Sequence, residues 1–452
     1  MEYFAEEKCF SDLYDIIGIS DMCIYTYKGE ILMNILVIGN GFDLAHGLPT
    51  YYNNFLEFCK RAKKIYTMRG DAPINVYEQN CLNDWKINDD IKNILYKNFN
   101  ERTVNKILKV DNTYKTDVTT PNKALNELYS HINHNAWLEY FLRPHFYDGE
   151  SWIDFELEIS RVIQKLDNAR FVLNDIDTID NIEPKTKEII DAICLAAKWD
   201  VNTTFGDIKS ADNFTIFLNA ELERLIRALE IYIAEFINGI TVTNKSVDIE
   251  ALKIDHVLSF NYSDTYAKVY GKGQKIEYDY IHGKADINKS VVSSNLVLGI
   301  DEYLDNDMKN KAVEFITFKK FYQRIYKGTG CEYREWVDEI RESGNAIEAK
   351  LRKEFPIQIP FNKYTNDARH KLYIFGHSLD VTDKDILRDL ILNDNVYTII
   401  YYFLKDKKDK RNLSAKIANL VKVIGQDELI RRTGGSTKTI EFKLQQDMVE
   451  RV

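Results

Sequence analysis

Four short polar clusters follow apolar runs in this chain, and they are rich in residues that bind phosphates and exchange protons. Glycines let a backbone approach a phosphate closely, and histidine titrates near neutral pH. Each cluster stands where a buried strand is predicted to end: Gly39-Asn40-Gly41-Phe42-Asp43, Asn261-Tyr262-Ser263-Asp264, His282-Gly283 and Gly376-His377-Ser378-Leu379-Asp380. In an open parallel sheet, ligands bind beyond the carboxyl ends of the strands. The four clusters are therefore expected to converge on one site.

The first cluster has the pattern of a glycine turn between a strand and a helix. Gly39 and Gly41 would allow a phosphate to approach the backbone, and the first amides of the following helix would point toward it. The spacing departs from the dinucleotide fingerprint G-x-G-x-x-G, because Leu44 stands in the place of the third glycine. A nucleotide loop and an ordinary strand-to-helix turn both stay open as interpretations.

The remaining polar residues of these clusters each have a structural alternative. His282 precedes a glycine and, taken alone, is typical of a turn histidine bonded to backbone, while His377 could serve only to orient its loop. Asp380, Thr382 and Asp383 stand where they could cap the helix predicted to follow them.

The segment Trp152-Ile153-Asp154-Phe155-Glu156 opens a predicted helix, where acidic residues favour the helix dipole. The same acids could instead close the site from the helical part of the chain, but capping is the preferred interpretation. Three histidines lie close together without a carboxylate or cysteine to complete a metal site: His131, His134 and His145. No metal is expected.

The periodicity predicts the elements that must position these clusters. Strands are predicted at residues 35–39, 255–260, 275–281, 296–300, 371–375 and 396–404, and helices at 152–166, 212–237, 306–323 and 334–355. Strands alternate with helices after residue 250, which indicates an α/β fold with a parallel, Rossmann-like sheet. A large α-helical insertion interrupts this sheet after its first strand and helix. The predicted domains are a nucleotide-binding domain at 33–61 and 250–440, and a helical insertion at 62–249.

Residues 1–32 are predicted to be an extension outside the fold. Lys28-Gly29-Glu30 can be encoded by a sequence that resembles a bacterial ribosome-binding site just upstream of a Met codon. Translation starting at Met33 and an ordinary helical N-terminal arm are the two alternatives.

Composition excludes several classes of protein. A net charge of −10 over 452 residues argues against nonspecific binding of nucleic acid or of anionic membranes. Apolar runs fall far short of the roughly 20 residues of a membrane helix. The six cysteines are too scattered for a zinc ribbon or a redox pair, and the N-terminus lacks the order of a secretory signal. A cytoplasmic protein with free thiols is expected.

Residues 38–50, Ile-Gly-Asn-Gly-Phe-Asp-Leu-Ala-His-Gly-Leu-Pro-Thr, resemble the opening of the AbiH family of bacterial phage abortive-infection proteins. Further segments fit that family in order: Trp152-Ile153-Asp154-Phe155-Glu156, Ser259-Phe260-Asn261-Tyr262, Ile281-His282-Gly283 and Gly376-His377-Ser378-Leu379-Asp380. The resemblance extends from Met33 to about Gly435.

The same segments are similar, more distantly, to the sirtuin-like NAD-binding fold. That fold has a Gly-Ala-Gly loop followed by Gly-Ile-Pro, and the step of eight residues between them matches Gly39 to Gly47. Asn261, His282-Gly283 and Gly376-His377-Ser378-Leu379 then occupy the places of its Asn, His-Gly and Gly-x-Ser-Leu motifs.

The chain also departs from the sirtuin pattern. Ser263 stands where sirtuins have the acidic residue that holds nicotinamide, and Asp264 comes one position later. Thr50-Tyr51-Tyr52 replaces the acidic-aromatic-Arg segment, and the four zinc cysteines are absent from the sequence. These departures argue against a protein deacylase and leave NAD binding or hydrolysis.

The resemblance implies a role for each cluster residue. His282 would be the base, Asn261 would orient the ribose or the attacking water, and Asp264 could stabilise the cationic ribose carbon. Gly39, Asn40 and Gly41 would cradle the pyrophosphate of NAD, and Ser378 would contact the adenosine side. The implied cofactor-binding set is completed by Phe42, Asp43, Gly47, Gly283, Gly376 and His377.

The function that this resemblance implies is an antiphage abortive-infection effector that hydrolyses the nicotinamide–ribose bond of NAD. The alternatives are a non-catalytic nucleotide-binding switch and an ADP-ribosyl transferase. Asn261 with His282 favours hydrolysis, whereas Ser263 in the acidic position favours the switch. A phage-derived trigger and a homo-oligomer are the further partners considered, and no membrane or nucleic-acid partner is expected.

Overall fold

The computed structural model describes residues 32–67, 89, 91, 93, 94, 123–142, 154–173, 211–301, 313–354, 369–406, 409–435 and 438–450. The predictions for the N-terminal extension, apart from Leu32, lie outside these residues, as do Trp152 and His145. Two cysteines in the described part, Cys59 and Cys331, are free thiols.

Six of the described strands form one parallel sheet in the order β4-β3-β1-β5-β6-β7. The strands are β1 (Asn34–Ile38), β2 (Asn244–Ser246), β3 (His256–Ser259), β4 (Glu277–Tyr280), β5 (His370–Phe375), β6 (Val396–Tyr402), β7 (Ile440–Leu444) and β8 (Met448–Glu450). β2 and β8 pair antiparallel apart from this sheet. The order is that of a doubly wound, Rossmann-like fold, and it reverses between β1 and β5. The predicted fold class is confirmed.

Helices cover both faces of this sheet and form a separate bundle. They are α1 (Asn40–Ala45), α2 (Tyr52–Thr67), α3 (Lys123–Ile132), α4 (Ala136–Phe141), α5 (Phe155–Leu173), α6 (Ala211–Ile231), α7 (Val247–Glu250), α8 (Thr265–Val269), α9 (Lys320–Lys327), α10 (Tyr333–Glu354), α11 (Lys384–Ile391), α12 (Arg411–Ile424) and α13 (Gln426–Thr433). A π-helical turn, Tyr232–Ile237, continues α6, and 3-10 turns occur at Val313–Phe318 and Val381–Asp383.

The sheet is buried on both faces, which explains its continuous apolar strands. Successive residues of β1 point to opposite faces, so Ile35 and Val37 join the core beneath α10, α11 and α12. Leu36 and Ile38 join the opposite core, which includes residues of α7 and α8. A strand covered on both sides needs apolar residues at every position rather than at alternate ones.

Helices α2 to α6, which lie between β1 and β3, pack around one apolar core that they share with the segment after β4, and several aromatic rings stack within it. Tyr52 stacks on Phe155 with ring centroids 4.2 Å apart, and Phe155 stacks on Phe141 at 4.4 Å. Leu298 and Phe318, which come from the segment after β4, join the same cluster. The predicted domain boundaries stay a prediction, but this core physically links α5 to the segment that carries α9.

Several predicted elements are confirmed, and others are wrong. The helix at 212–237 is α6 with its π turn, and the helix at 334–355 is α10. The strand predicted at 296–300 is wrong: only Ile300 forms an isolated β-bridge, with Lys319, and Leu298 is bonded by the side chain of Gln323. This side chain accepts from Leu298 N at 3.0 Å and donates to Leu298 O at 3.3 Å.

The helix predicted at 306–323 is wrong where the structure describes it, since a 3-10 turn ends at Phe318 and α9 begins at Lys320. β7 was not predicted, because this edge strand is only partly buried. None of the described helices is long and apolar enough to cross a membrane.

Candidate functional site

The loops that leave β1 and β5 touch each other at the point where the strand order reverses. Gly41 N donates to Gly376 O at 2.9 Å, and Gly39 N donates to Phe375 O at 3.4 Å. Gly376 has a φ of 68°, and a Cβ there would lie 2.1 Å from Phe42 N. A Cβ on Gly41 would lie 2.7 Å from Gly376 O. These glycines let two backbones meet, which is a packing role that the phosphate interpretation did not include.

The other residues of the first cluster divide between surface and core. Asn40 is exposed and accepts from Thr50 Oγ1 at 2.6 Å through its Oδ1. The ring of Phe42 is buried, 4.3 Å from the ring of His46, so it contributes to the core. Gly47 has a φ of 77°, which favours glycine in this turn. Their roles in binding a cofactor stay predictions.

Asp43 ties α1 to the turn after β3. Its Oδ2 accepts from Ser263 Oγ at 2.6 Å, and Ser263 Oγ accepts from Thr265 Oγ1 at 3.0 Å. Burial raises the pKa of Asp43 to about 6, although the polar side chains of Ser263, Thr265 and the nearby Asn261 oppose the rise. Ser263 is therefore the hydrogen-bond donor to an acid supplied by α1.

Asn261 stands at the end of β3 with its backbone fixed and its side chain buried. Its N donates to Ser259 Oγ at 3.2 Å, and Ser259 Oγ donates to Asn261 O at 3.2 Å. The side chain is only 4% exposed, yet neither Nδ2 nor Oδ1 reaches hydrogen-bonding geometry with any described residue. Buried amides almost always have partners, so this one is suited to a ligand or to water.

Two histidines from neighbouring loops face one carboxylate. His377 Nε2 lies 3.4 Å from Asp383 Oδ2, and His282 Nε2 lies 3.9 Å from Asp383 Oδ1. His377 Nδ1 accepts from Leu379 N at 2.9 Å, so its proton resides on Nε2 and points toward Asp383. Burial raises the pKa of Asp383, but the hydrogen bond from His377 and the charge of Lys320 outweigh it and hold the pKa well below its usual range.

His282 is buried and neutral in this arrangement. Burial, together with the charge of Lys320, lowers its pKa to about 3 despite the opposing charge of Asp383. Its Nδ1 makes no hydrogen bond with a described residue. Gly283 follows with a φ of 79°, and a Cβ there would lie 2.2 Å from Asn295 O, so only glycine is accommodated.

A buried lysine brings the helical insertion into the site. Lys320 Nζ, at the start of α9, lies 2.7 Å from Glu156 Oε2 in the first turn of α5. Burial alone lowers the pKa of Lys320, but the charges of Glu156, Asp383 and Asp301 raise it overall. Burial raises the pKa of Glu156 to about 7 in spite of Lys320, and burial raises that of Asp301 to about 6.

The insertion also holds the loop that follows His282. Arg227, fully buried on α6, donates through Nη1 to Asp286 O at 3.0 Å and through Nη2 to Ile287 O at 2.9 Å. Glu230 neutralises the guanidinium at 2.8 Å and accepts from Asp286 N at 3.2 Å. The position of His282 therefore depends on α6 as well as on β4.

The loop after β5 is held from its other side by α12. Lys416 Nζ donates to His377 O, and burial lowers the pKa of Lys416 to about 8. Asn419 Nδ2 donates to Ser378 O at 3.1 Å, while the Ser378 side chain is exposed.

Asp264 pairs with two lysines rather than with His282 or His377. Its carboxylate lies 2.9 Å from Lys268 Nζ and 3.7 Å from Lys284 Nζ. These two lysines neutralise it, and Asp383 is the acid beside the histidines.

Comparison with known proteins identifies the family. Residues 35–404 match the family model described as bacteriophage abortive infection AbiH. The chain belongs to the AbiH family. No curated protein and no solved structure gives a significant match to it.

This AbiH protein is thus an abortive-infection protein of antiphage defence, as the sequence predicted. The match includes every strand of the large sheet except β7, and it includes the four loops that form the candidate site. The likeness to sirtuins stays an expectation from the sequence.

The sequence did not mark Asp383 or Lys320 as chemical groups of the AbiH site, and it favoured a structural role for Glu156. Asp383 was considered only as a cap, but in the structure Asp380 Oδ1 accepts from Thr382 N at 3.2 Å and Asp383 faces the histidines instead. For the acids of residues 152–156, capping was preferred to closing the site: Asp154 does cap α5 by accepting from Leu157 N at 3.1 Å, but Glu156 pairs with Lys320, as the second alternative allowed. No local pattern around Lys320 marked it as a site residue.

Replacing Gly376 with alanine tests whether the two loops need glycine. Gly376→Ala is expected to lower the free energy of unfolding by at least about 2 kcal/mol more than Gly273→Ala, because only Gly376 faces another backbone. Gly273 is the matched control: its φ is 77°, with no atom within 4 Å of an added Cβ. Chemical denaturation measures both, and equal losses would show that the loop contact is unimportant.

The lowered pKa of His282 predicts a pH-dependent contribution to stability. Below pH 6.5 the unfolded chain binds a proton that the folded chain rejects, so this contribution is present above pH 6.5 and is lost as pH falls toward 3. Relative to His282→Asn, wild type should lose about 2 kcal/mol of unfolding free energy between pH 7 and pH 5.

The control is His134→Asn, which changes an exposed histidine with a φ of 54° that asparagine tolerates. Because this side chain is exposed, the variant controls for the loss of an imidazole as such. A difference between wild type and His282→Asn that does not change with pH would contradict the burial of His282.

Proposed function

We propose that this AbiH protein binds NAD at the reversal point of its sheet and hydrolyses the nicotinamide–ribose bond. The observation that carries the proposal is the arrangement around His282: a buried neutral imidazole beside Asp383, with the hydrogen-bonding groups of Asn261 unsatisfied by the described residues. Doubly wound folds bind nucleotides at this edge, which supports a nucleotide as the ligand.

The charges around His282 support a cationic reaction centre. Asp383, Asp301 and Glu156 surround one lysine, Lys320, so the local charge is negative once the acids ionise. When the nicotinamide ring leaves, its positive charge passes to the ribose carbon, and nearby carboxylates stabilise that charge through the low dielectric of a buried site.

The proposed reaction consumes water and releases neutral nicotinamide. The bond between ribose C1′ and the ring nitrogen breaks with its electron pair going to the nitrogen, and a water oxygen bonds to C1′. The water proton passes to His282 Nδ1 and then to solvent, leaving ADP-ribose. Asp383 stabilises the imidazolium through the Nε2 side, as an acid does for histidine in hydrolytic triads.

One observation favours the non-catalytic switch instead. A histidine whose pKa is about 3 is a weak base at neutral pH, since proton transfer is most effective when the pKa lies near the working pH. In the switch interpretation, Asn261 and His282 recognise a nucleotide by hydrogen bonds, and the insertion responds to its binding through Lys320 and Glu156.

Measuring the NAD concentration of cells over time after phage infection distinguishes NAD hydrolysis from the non-catalytic switch and from a transferase. Cells that express wild type are expected to lose NAD upon infection, and His282→Ala or Asn261→Ala should abolish the loss and the protection. His134→Asn should behave as wild type. Unchanged NAD in wild-type cells that remain protected would refute hydrolysis, and labelled NAD appearing as a macromolecular adduct would identify a transferase.

Asp383 should be required for this activity, and its neighbour Asp380 should not. Asp383→Asn is expected to slow NAD loss in infected cells by at least about 100-fold, because it removes the charge beside both histidines. Asp380→Asn keeps a side-chain acceptor for Thr382 N, so it should slow NAD loss by less than about twofold. Similar rates for the two variants would show that Asp383 is only a structural acid.

A further inference from the structure

The helix α9 has its polar residues inside and its apolar residues outside. Lys320 Nζ pairs with Glu156, Gln323 bonds to both backbone groups of Leu298, and Lys327 Nζ lies 2.9 Å from Glu223 Oε2. Arg324 also turns inward and donates to Gly330 O. The four long polar side chains of α9 thus all bond to other parts of the protein.

The outer face of α9 consists of four apolar or aromatic residues: Phe321, Tyr322, Ile325 and Tyr326. Phe321 is 47% exposed, Ile325 75% and Tyr326 74%. The rings of Tyr322 and Tyr326 stack nearly parallel, with centroids 6.0 Å apart. Surface helices normally show the opposite arrangement, and contiguous apolar patches usually mark a site of interaction.

We propose that this face, which we call the α9 face, is where two copies of the chain associate. Charge is the first argument. The chain carries a net charge of −10, so two copies repel each other over much of their surfaces. The α9 face presents none of the charged side chains of its helix, which all point inward, so two copies can meet there without bringing like charges together.

Shape is the second argument. Phe321 and Ile325 form one column at a spacing of four residues, and Tyr322 and Tyr326 form another. In a twofold dimer the same face meets itself, and ridges at a spacing of four pack into the equivalent grooves of the partner helix. The two columns of side chains form ridges with a groove between them, so a ridge of one copy can pack into the groove of the other.

The area of the α9 face is small for a stable dimer. From the exposed fractions, the α9 face offers about 400 Å² of side-chain surface per copy, since a large aromatic side chain covers 150–250 Å². Stable complexes bury about 800 Å² per partner. The α9 face is therefore the size of a weak, reversible contact between two copies.

Sedimentation of the full chain over a range of concentrations tests this dimer. From about 0.5 to about 100 µM, the wild-type mass should rise from the chain mass of 52.9 kDa toward twice that value. Ile325→Glu and Tyr326→Glu should remain at the single-chain mass throughout, because each places a charge opposite its own copy. Tyr326→Phe should dimerise as wild type does.

Ile430→Glu is the matched control, because Ile430 is an exposed isoleucine on another eight-residue helix, α13. It should dimerise normally, and thermal unfolding of all variants should match wild type since the changed side chains are exposed. A wild-type chain that stays monomeric at every concentration overturns the proposal. So does a dimer that persists in both glutamate variants, or one that Ile430→Glu also abolishes.

Discussion

The contact between Gly41 and Gly376 brings the exits of β1 and β5 together, and the candidate site is arranged around it. On one side of this contact, Asp43 reaches the turn after β3 through Ser263. On the other side, His377 follows Gly376 and faces Asp383. A side chain on either glycine would separate the two loops and move both groups of polar residues. The glycines are thus required by packing, whatever ligand the site binds.

Buried charges join the helical insertion to the sheet. Removing an ion from water costs several kcal/mol unless a partner of opposite charge and further hydrogen bonds compensate for it. Lys320 has Glu156 from α5, and Arg227 of α6 has Glu230 together with the carbonyls of the loop after His282. Lys320 pairs with an acid of the insertion, and Arg227 donates to carbonyls of the loop after His282, although both acids that pair with Arg227, Glu127 and Glu230, belong to the insertion. The site therefore depends on the folding of both parts of the chain.

The sequence was sufficient for five of the six strands of the sheet and for the loops that follow four of them, because buried strands and glycine turns have local signatures. It was insufficient for Asp383, whose neighbours in the chain also favour a helix cap, and for Lys320, whose partner Glu156 lies 164 residues earlier. Such pairs depend on tertiary packing that no local pattern records. The predicted strand at 296–300 failed for a related reason: at Leu298 the side chain of Gln323 supplies the hydrogen bonds that a neighbouring strand normally gives, and only Ile300 forms a β-bridge.

The arrangement of α9, with its polar residues inside and its apolar residues outside, is set in part by the contacts that this helix makes at and near the candidate site. Lys320, Gln323 and Lys327 must point inward to satisfy Glu156, Leu298 and Glu223, which fixes the rotation of the helix. That rotation leaves the opposite face in solvent but does not require it to be apolar, since polar residues there would preserve every inward contact. The exposed aromatic residues of α9 therefore have a separate cause, and contact with another molecule is the physical reason for which a surface helix keeps such residues.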